Sequence, residues 1–212
     1  MATTFKRLGA GTITTANTQT TVYTVPTGSK TIIKSFIISN SSASNVTIIV
    51  RMSMLEIIYN YIIQPNDTIV IPVMDQCLDA IDGTITIYAS AANSISYYIS
   101  GIETLTTDPE YSDVSRLGYG ALPTYPTFNF LFGSVIKDRL VKGIILCNTK
   151  SADTRVYMNV TTGSGGFNIL SGFLIKSYDT IVVPTTDLLI PGSSTISGSG
   201  AGVNYFITGK EL

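Results

Sequence analysis

The sequence predicts an all-β protein built as two tandem, similar antiparallel β-sandwich domains of jelly-roll-like type. Three observations predict it. Apolar residues recur at i, i+3, i+4 and i+7 in no long, well-capped stretch, so helix signals are scarce. Short runs rich in Ile, Val, Thr and Tyr alternate with clusters of Gly, Pro, Asn, Asp and Ser, the pattern of strands and turns. Four blocks also return in the same order, about one domain length later. Arg7-Leu8-Gly9-Ala10-Gly11 returns as Arg116-Leu117-Gly118-Tyr119-Gly120, and Lys34–Asn40 returns as Lys142–Asn148. Asp67-Thr68-Ile69-Val70-Ile71-Pro72 returns as Asp179–Pro184, and Tyr97–Glu103 returns as Tyr205–Glu211.

In the first copy, strands are expected at Thr12–Thr15, Thr20–Val25, Lys30–Ser39, Asn45–Met54, Glu56–Ile63, Thr68–Val73, Gly83–Ala89 and Ser94–Ile102. In the second they are expected at Thr127–Phe132, Arg139–Asn148, Thr154–Val160, Phe167–Ile175, Thr180–Val183, Ser194–Gly198 and Val203–Thr208. Seven or eight short strands per ~100 residues suit a sandwich or jelly roll. Turn chemistry supports the spacing. Pro26-Thr27-Gly28-Ser29, Gln64-Pro65-Asn66-Asp67 and Pro191-Gly192-Ser193-Ser194 each pair a φ-fixing Pro with residues that tolerate positive φ. In Asp-Thr-Ile-Val the Asp caps a tight turn, the apolar run is a buried strand, and Pro ends it.

The first module is placed at residues 1–105, a linker at 106–114, and the second module at 115–212. The linker reading rests on Thr106–Asp113, a polar stretch with Pro109 and three acidic residues. The halves diverge most at Pro123-Thr124-Tyr125-Pro126-Thr127-Phe128, read as a contact arm or an edge strand blunted by Pro.

Apolar residues make up 44% of the 212, enough for a core in each half, whereas charged residues are only 13%. Average usage is ~25% charged. With a mean hydropathy of +0.33, so little charge points to an exterior partly covered by neighbouring subunits. The net charge is -1 and the 13 Lys and Arg are scattered, which argues against nucleic acid and gives no reason for an anionic membrane partner. The N-terminal residues lack an apolar core of signal-peptide length, and the longest apolar stretch, Ile48–Ile63, is broken by Arg51, Glu56 and Asn60. Folding in a cytosol is therefore expected. Cys77 and Cys147 are unmatched between the halves and read as buried free thiols. The sequons at Asn40, Asn45, Asn66 and Asn159 follow from composition.

No enzyme is expected, and no catalytic, cofactor or metal residue is assigned. The chain has no His, which removes Ser-His-Asp and Cys-His arrangements and the usual neutral-pH base. Asp67 and Asp179 lack a nearby carboxylate. Asp75, Asp79 and Asp82 surround Cys77 at spacings unlike an EF-hand and read as a solvated loop. Asp108, Glu110 and Asp113 lie in the linker, where nothing fixes a glycosidase-like separation. Thr162–Gly166 and Ser197–Gly202 lack the Lys-Ser/Thr of a P-loop and read as hairpin turns. The 12 Tyr occur with no Trp. Tyr59 and Tyr61 are expected on one strand face and Tyr97 and Tyr98 on opposite faces, with core and interface packing favoured over sugar binding.

Arg7-Leu8-Gly9-Ala10-Gly11-Thr12-Ile13-Thr14-Thr15, followed by Thr21-Val22-Tyr23-Thr24-Val25-Pro26-Thr27-Gly28-Ser29-Lys30 and a strand ending Ser39-Asn40-Ser41-Ser42, resembles small structural proteins of tailed bacteriophages. The resemblance spans roughly residues 7–50. In the second copy Phe132–Arg139 replaces the Pro-x-Gly turn. The resemblance implies a non-enzymatic virion component in the tail, baseplate or neck, assembled in a bacterial cytoplasm from copies of itself and other virion proteins. The alternatives are a capsid decoration protein or a receptor- or glycan-binding module. It implies no catalytic residues.

Overall fold

The computed structural model describes residues 5–73, 75–111, 113–132, 136–183 and 187–212. Ser112, Gly133–Val135 and Pro184, all part of the sequence readings above, lie outside the described residues. The chain divides into two compact units, Met1–Ser112 and Asp113–Leu212.

The first unit holds β1 (Phe5–Thr12), β2 (Thr20–Thr24), β3 (Ser29–Asn40), β4 (Val46–Met52), β5 (Leu55–Ile63), β6 (Thr68–Val70), β7 (Gln76–Asp79), β8 (Thr84–Ala89) and β9 (Ile95–Leu105). One sheet runs β1-β9-β3-β6, with β7 also paired to β3, and the other runs β2-β8-β4-β5. All the pairs are antiparallel. Apart from the β4–β5 hairpin, and with β6 and β7 counted as two pieces of one interrupted strand, every connection passes from one sheet to the other. That is the eight-stranded jelly roll.

The second unit repeats it with β10 (Val114–Ala121), β11 (Asn129–Phe130), β12 (Arg139–Asn148), β13 (Thr154–Thr162), β14 (Gly165–Ile175), β15 (Thr180–Val183), β16 (Leu188–Ile190), β17 (Thr195–Ser199) and β18 (Val203–Glu211). Its sheets run β10-β18-β12-β15, with β16 on β12, and β11-β17-β13-β14. The predicted all-β, two-sandwich class is the observed one.

The period-2 sequence pattern makes the cores. In β4, Val46, Ile48, Val50 and Met52 are fully buried while Thr47, Ile49 and Arg51 face out. Phe36 and Ile38 of β3 and Ile85 and Ile87 of β8 are buried likewise. The second core is built by Ile144, Leu146, Val156, Met158, Ile196 and Ile207.

The repeated blocks have local physical reasons. The Arg-Leu-Gly-x-Gly blocks are bulged strands, where Leu8 and Leu117 are the extra residues against β9 and β18. On the other side of the same strands, Lys34 and Lys142 are bulged out. Both bulges oppose the same residue, Ser100 or Thr208, directly before Gly101 or Gly209. A Cβ on these glycines would lie 2.2 Å from the Ile32 carbonyl oxygen and 2.3 Å from that of Leu140. The Tyr-(Tyr/Phe)-Ile-(Ser/Thr)-Gly block is therefore tied to the Leu and Lys blocks through one crowded crossing point.

The turns behave as their residues require. Ser29, Asp67 and Ser194 donate backbone N–H to the carbonyls of Pro26, Gln64 and Pro191, at 3.0, 3.2 and 3.0 Å. The third residues Gly28, Asn66 and Ser193 have φ of 74°, 58° and 66°.

Four strands were not expected, and several bounds move. β1 and β10 were missed because glycines weaken a strand pattern, and the expected Thr12–Thr15 strand ends at Thr12. β16 has three residues. β7 replaces the solvated loop expected around Cys77: Gln76, Cys77 and Leu78 are fully buried because they pair with β3. Thr127–Phe132 shrinks to Asn129–Phe130, and the Pro123–Phe128 segment is a turn rather than an edge strand.

Candidate functional site

The acidic residues that could have marked chemistry build the scaffold in matched pairs. Asp67 and Asp179 cap their strands: each Oδ1 accepts from the next backbone N–H, of Thr68 at 2.7 Å and Thr180 at 2.8 Å. Asp75 and Asp187 both have positive φ, 57° and 56°. Asp75 pairs with the bulged Lys34 at 2.9 Å, and Asp187 pairs with the bulged Lys142. Asp108 accepts from the Thr104 hydroxyl and the Glu110 N–H, which hold its carboxyl below the usual range. Asp113 pairs with Lys210 at 3.0 Å. Among the described residues no group of three His, Cys, Asp or Glu is placed to hold a metal, and no helix is long and apolar enough to cross a membrane.

The other singled-out residues are also structural. Cys77 and Cys147 are buried free thiols. Thr162–Gly166 spans the β13–β14 hairpin, and Ser197–Gly202 runs from β17 into the turn before β18. Asn60, with φ 49°, sits where the β4–β5 register shifts, so strict alternation does not carry from Tyr59 to Tyr61. Tyr97 lies against Gly11, its hydroxyl 3.1 Å from where a Cβ would stand, while Tyr98 is exposed. Tyr205 lies against Gly120 in the same way at 3.4 Å.

A part-buried polar cluster links the two sheets of the first unit, and sequence reasoning missed it. The Tyr23 hydroxyl of β2 lies 2.7 Å from both Thr31 Oγ1 of β3 and Glu103 Oε2 of β9, and Lys6 donates to Glu103. Burial pushes the Tyr23 hydroxyl up, and the bond and charge of Glu103 push it further. Burial also pushes Glu103 up, but the hydrogen bonds from Lys6 and Tyr23 outweigh it and hold the carboxyl below its usual range. The corresponding register in the second unit holds Arg139 opposite Glu211, 3.5 Å apart, with the guanidinium 4.7 Å over the Phe132 ring. The signal was the pairing of Tyr23 with Phe132 and Thr31 with Arg139 at the repeat offset.

What the molecule offers to partners is apolar surface on its strand edges. β5 and β14 end their four-stranded sheets. Ile62 on β5 and Leu174 on β14, equivalent in the repeat, are 50% and 40% exposed. Tyr61 and Phe173 beside them are exposed too. From Gly163 to Ile175 there is no charged residue. Beside β14 the second unit opens a cleft of about 820 Å³ lined by Phe167, Leu170, Val183, Leu188 and Leu189, among others. Leu189 is 50% exposed there, whereas Cys77, its equivalent, is fully buried.

The chain matches no protein-family model and no curated protein sequence. Among solved structures, the major capsid protein P2 from bacteriophage PM2 overlaps 100% of this chain and 98% of its own, at 9% identity and a TM-score of 0.33. The STIV MCP overlaps 100% and 96%, at 11% identity and a TM-score of 0.32. The CBM22-1–CBM22-2 tandem of Paenibacillus barcinonensis Xyn10C overlaps 98% and 93%, at 10% identity and a TM-score of 0.25. Overlap at this level says nothing of what the chain does. The class its own strand order defines is a tandem of two eight-stranded jelly rolls.

Proposed function

We propose that the chain is a non-enzymatic structural protein of a virus particle that works by assembly with copies of itself and with other particle proteins. The observation that carries this reading is the pair of exposed apolar edges, β5 and β14, at the same place in both jelly rolls. β14 carries no charge and β5 only Glu56, near its start; apolar edges with so little charge are a liability in a monomer and a contact in an assembly. Low overall charge supports the same reading.

The doubled fold supports a reading of the position in the particle. Nothing in the two units singles out the tail, neck or baseplate that the sequence resemblance implies. A shell or shell-surface position is favoured, since jelly rolls suit lattices in which one chain presents two similar but non-identical surfaces. The test is mass spectrometry of particles purified from the producing host, before and after the shell is separated from tails. Peptides of this chain in the shell fraction are expected. Their absence from particles overturns the virion reading, and their presence only with tails overturns the shell position.

A further inference from the structure

The two jelly rolls carry the same row of residues across the outer face of their four-stranded sheets. In the first unit Thr21 pairs with Thr86, Thr86 with Arg51, and Arg51 with Glu56. In the second, Phe130 pairs with Ser197, Ser197 with Asn159, and Asn159 with Asn168. In the next row, Tyr88–Ile49 of the first unit corresponds to Ser199–Tyr157 of the second.

The first unit closes this face with its own side chains. Arg51 pairs with Glu56 at 2.8 Å, Gln19 donates to Thr86, and the Tyr88 hydroxyl donates to Asn17 at 2.7 Å. The second unit replaces the ion pair with two amides and the Thr with a Phe ring that is 70% exposed. Asn159 Oδ1 is buried with no hydrogen-bond donor, a state that is unfavourable unless a donor arrives. Tyr125, itself 55% exposed, stacks on Tyr157 with ring centroids 4.6 Å apart. The segment that diverges most between the copies is thus the one that brings a second ring to this face.

The geometry points to a binding site for an uncharged glycan on the outer face of the β11-β17-β13-β14 sheet, with Phe130, Tyr125 and Tyr157 as stacking surfaces, the exposed Asn168 as the leading hydrogen-bonding group, and the half-buried Asn159 and nearly buried Ser197 behind it. A sugar ring has an apolar C–H face that packs on an aromatic ring and hydroxyls that both donate and accept. Amide and hydroxyl side chains match those hydroxyls. The row itself carries no charge, and the cation on the same face of β13, Arg155, donates to the Gly172 carbonyl, so an acidic glycan or a phosphate has no counter-ion within the row. An apolar protein surface laid on it would leave two amides and a hydroxyl unpaired. The site goes beyond the assembly role: the two share β14, but the glycan face uses Asn168 there whereas the assembly edge uses Phe173 and Leu174.

The test is binding of the full chain to arrayed neutral and acidic oligosaccharides and to neutral polysaccharides in affinity electrophoresis. Binding to neutral probes is expected, reduced at least tenfold by Phe130→Ala and by Tyr125→Ala. Thr86→Ala, on the equivalent row of the first unit, should leave it unchanged. Phe130 and Tyr125 are exposed, so these variants should fold, which their circular dichroism checks. No binding to any neutral probe overturns the site, as does binding indifferent to both ring variants or restricted to acidic probes. A fall in oligomeric mass on Phe130→Ala without glycan binding assigns the face to a protein contact instead. Failure here leaves the particle and edge-strand tests untouched.

Discussion

Asn40 and Asn148 sit at the same place in the two jelly rolls and hold the same three segments together. Asn40 Nδ2 lies 2.8, 3.1 and 3.0 Å from the carbonyl oxygens of Ser44, Ile63 and Gln64. Asn148 Nδ2 lies 2.8, 3.3 and 2.9 Å from those of Ala152, Ile175 and Lys176. Each Oδ1 accepts a backbone N–H two residues on, of Ser42 or Lys150, at 3.0 Å. Both side chains are fully buried. Replacing either by Ala strands several buried carbonyls. Each replacement should lower stability by ~2–4 kcal/mol, read as a fall in denaturation midpoint at unchanged slope. A loss under ~1 kcal/mol would show that water replaces the amide.

The crowded glycines give a second prediction. Gly101→Ala and Gly209→Ala put a Cβ into backbone carbonyls at 2.2 and 2.3 Å. Each should cost more than ~3 kcal/mol or abolish soluble expression. Gly28→Ala has no atom within 4 Å of its Cβ and suffers only its φ of 74°, a cost of ~1 kcal/mol. Equal losses at Gly28 and Gly101 would contradict the bulge geometry.

Acid sensitivity follows from Glu103, Asp108 and Asp153. All three carboxyls are held below their ordinary values, Asp153 by the hydrogen bonds of Lys176 and of the Ser177 N–H. A carboxyl whose folded pKa lies below its unfolded one adds stability above the unfolded value and loses it as pH falls through the folded one. With no His, the thermal midpoint should be flat between about pH 5 and 8 and should fall below about pH 4. Tyr23→Phe removes one hydrogen bond that holds the Glu103 carboxyl down, so the variant should be less stable at neutral pH and lose less of its stability on acidification. A transition near pH 6 would contradict this.

Much of the fold was legible because its signals are local. The Pro-x-Gly turn at Pro26–Ser29, the alternation in Val46–Met52 and the Asp cap before Thr68 each specify their own geometry. What was not legible depends on partners distant in sequence. Gln76–Asp79 reads as a polar loop until β3 is known to lie beside it. The strand at Arg7–Gly11 is hidden by its glycines until Tyr97 is seen to fill the space above Gly11. The candidate surfaces were the least legible. Phe130 and Asn159 stand 29 residues apart and become neighbours across Ser197 only through strand order.

The edge-strand account is tested most directly by the sedimentation mass of the purified chain, alone and with Ile62→Lys and Leu174→Lys. Both residues are exposed, so the charges should not threaten either core. The account predicts that the parent chain sediments as an oligomer at micromolar concentration and that one or both substitutions reduce it toward a 22.7 kDa monomer. A parent chain that stays monomeric, or an oligomer that neither substitution changes, would contradict it.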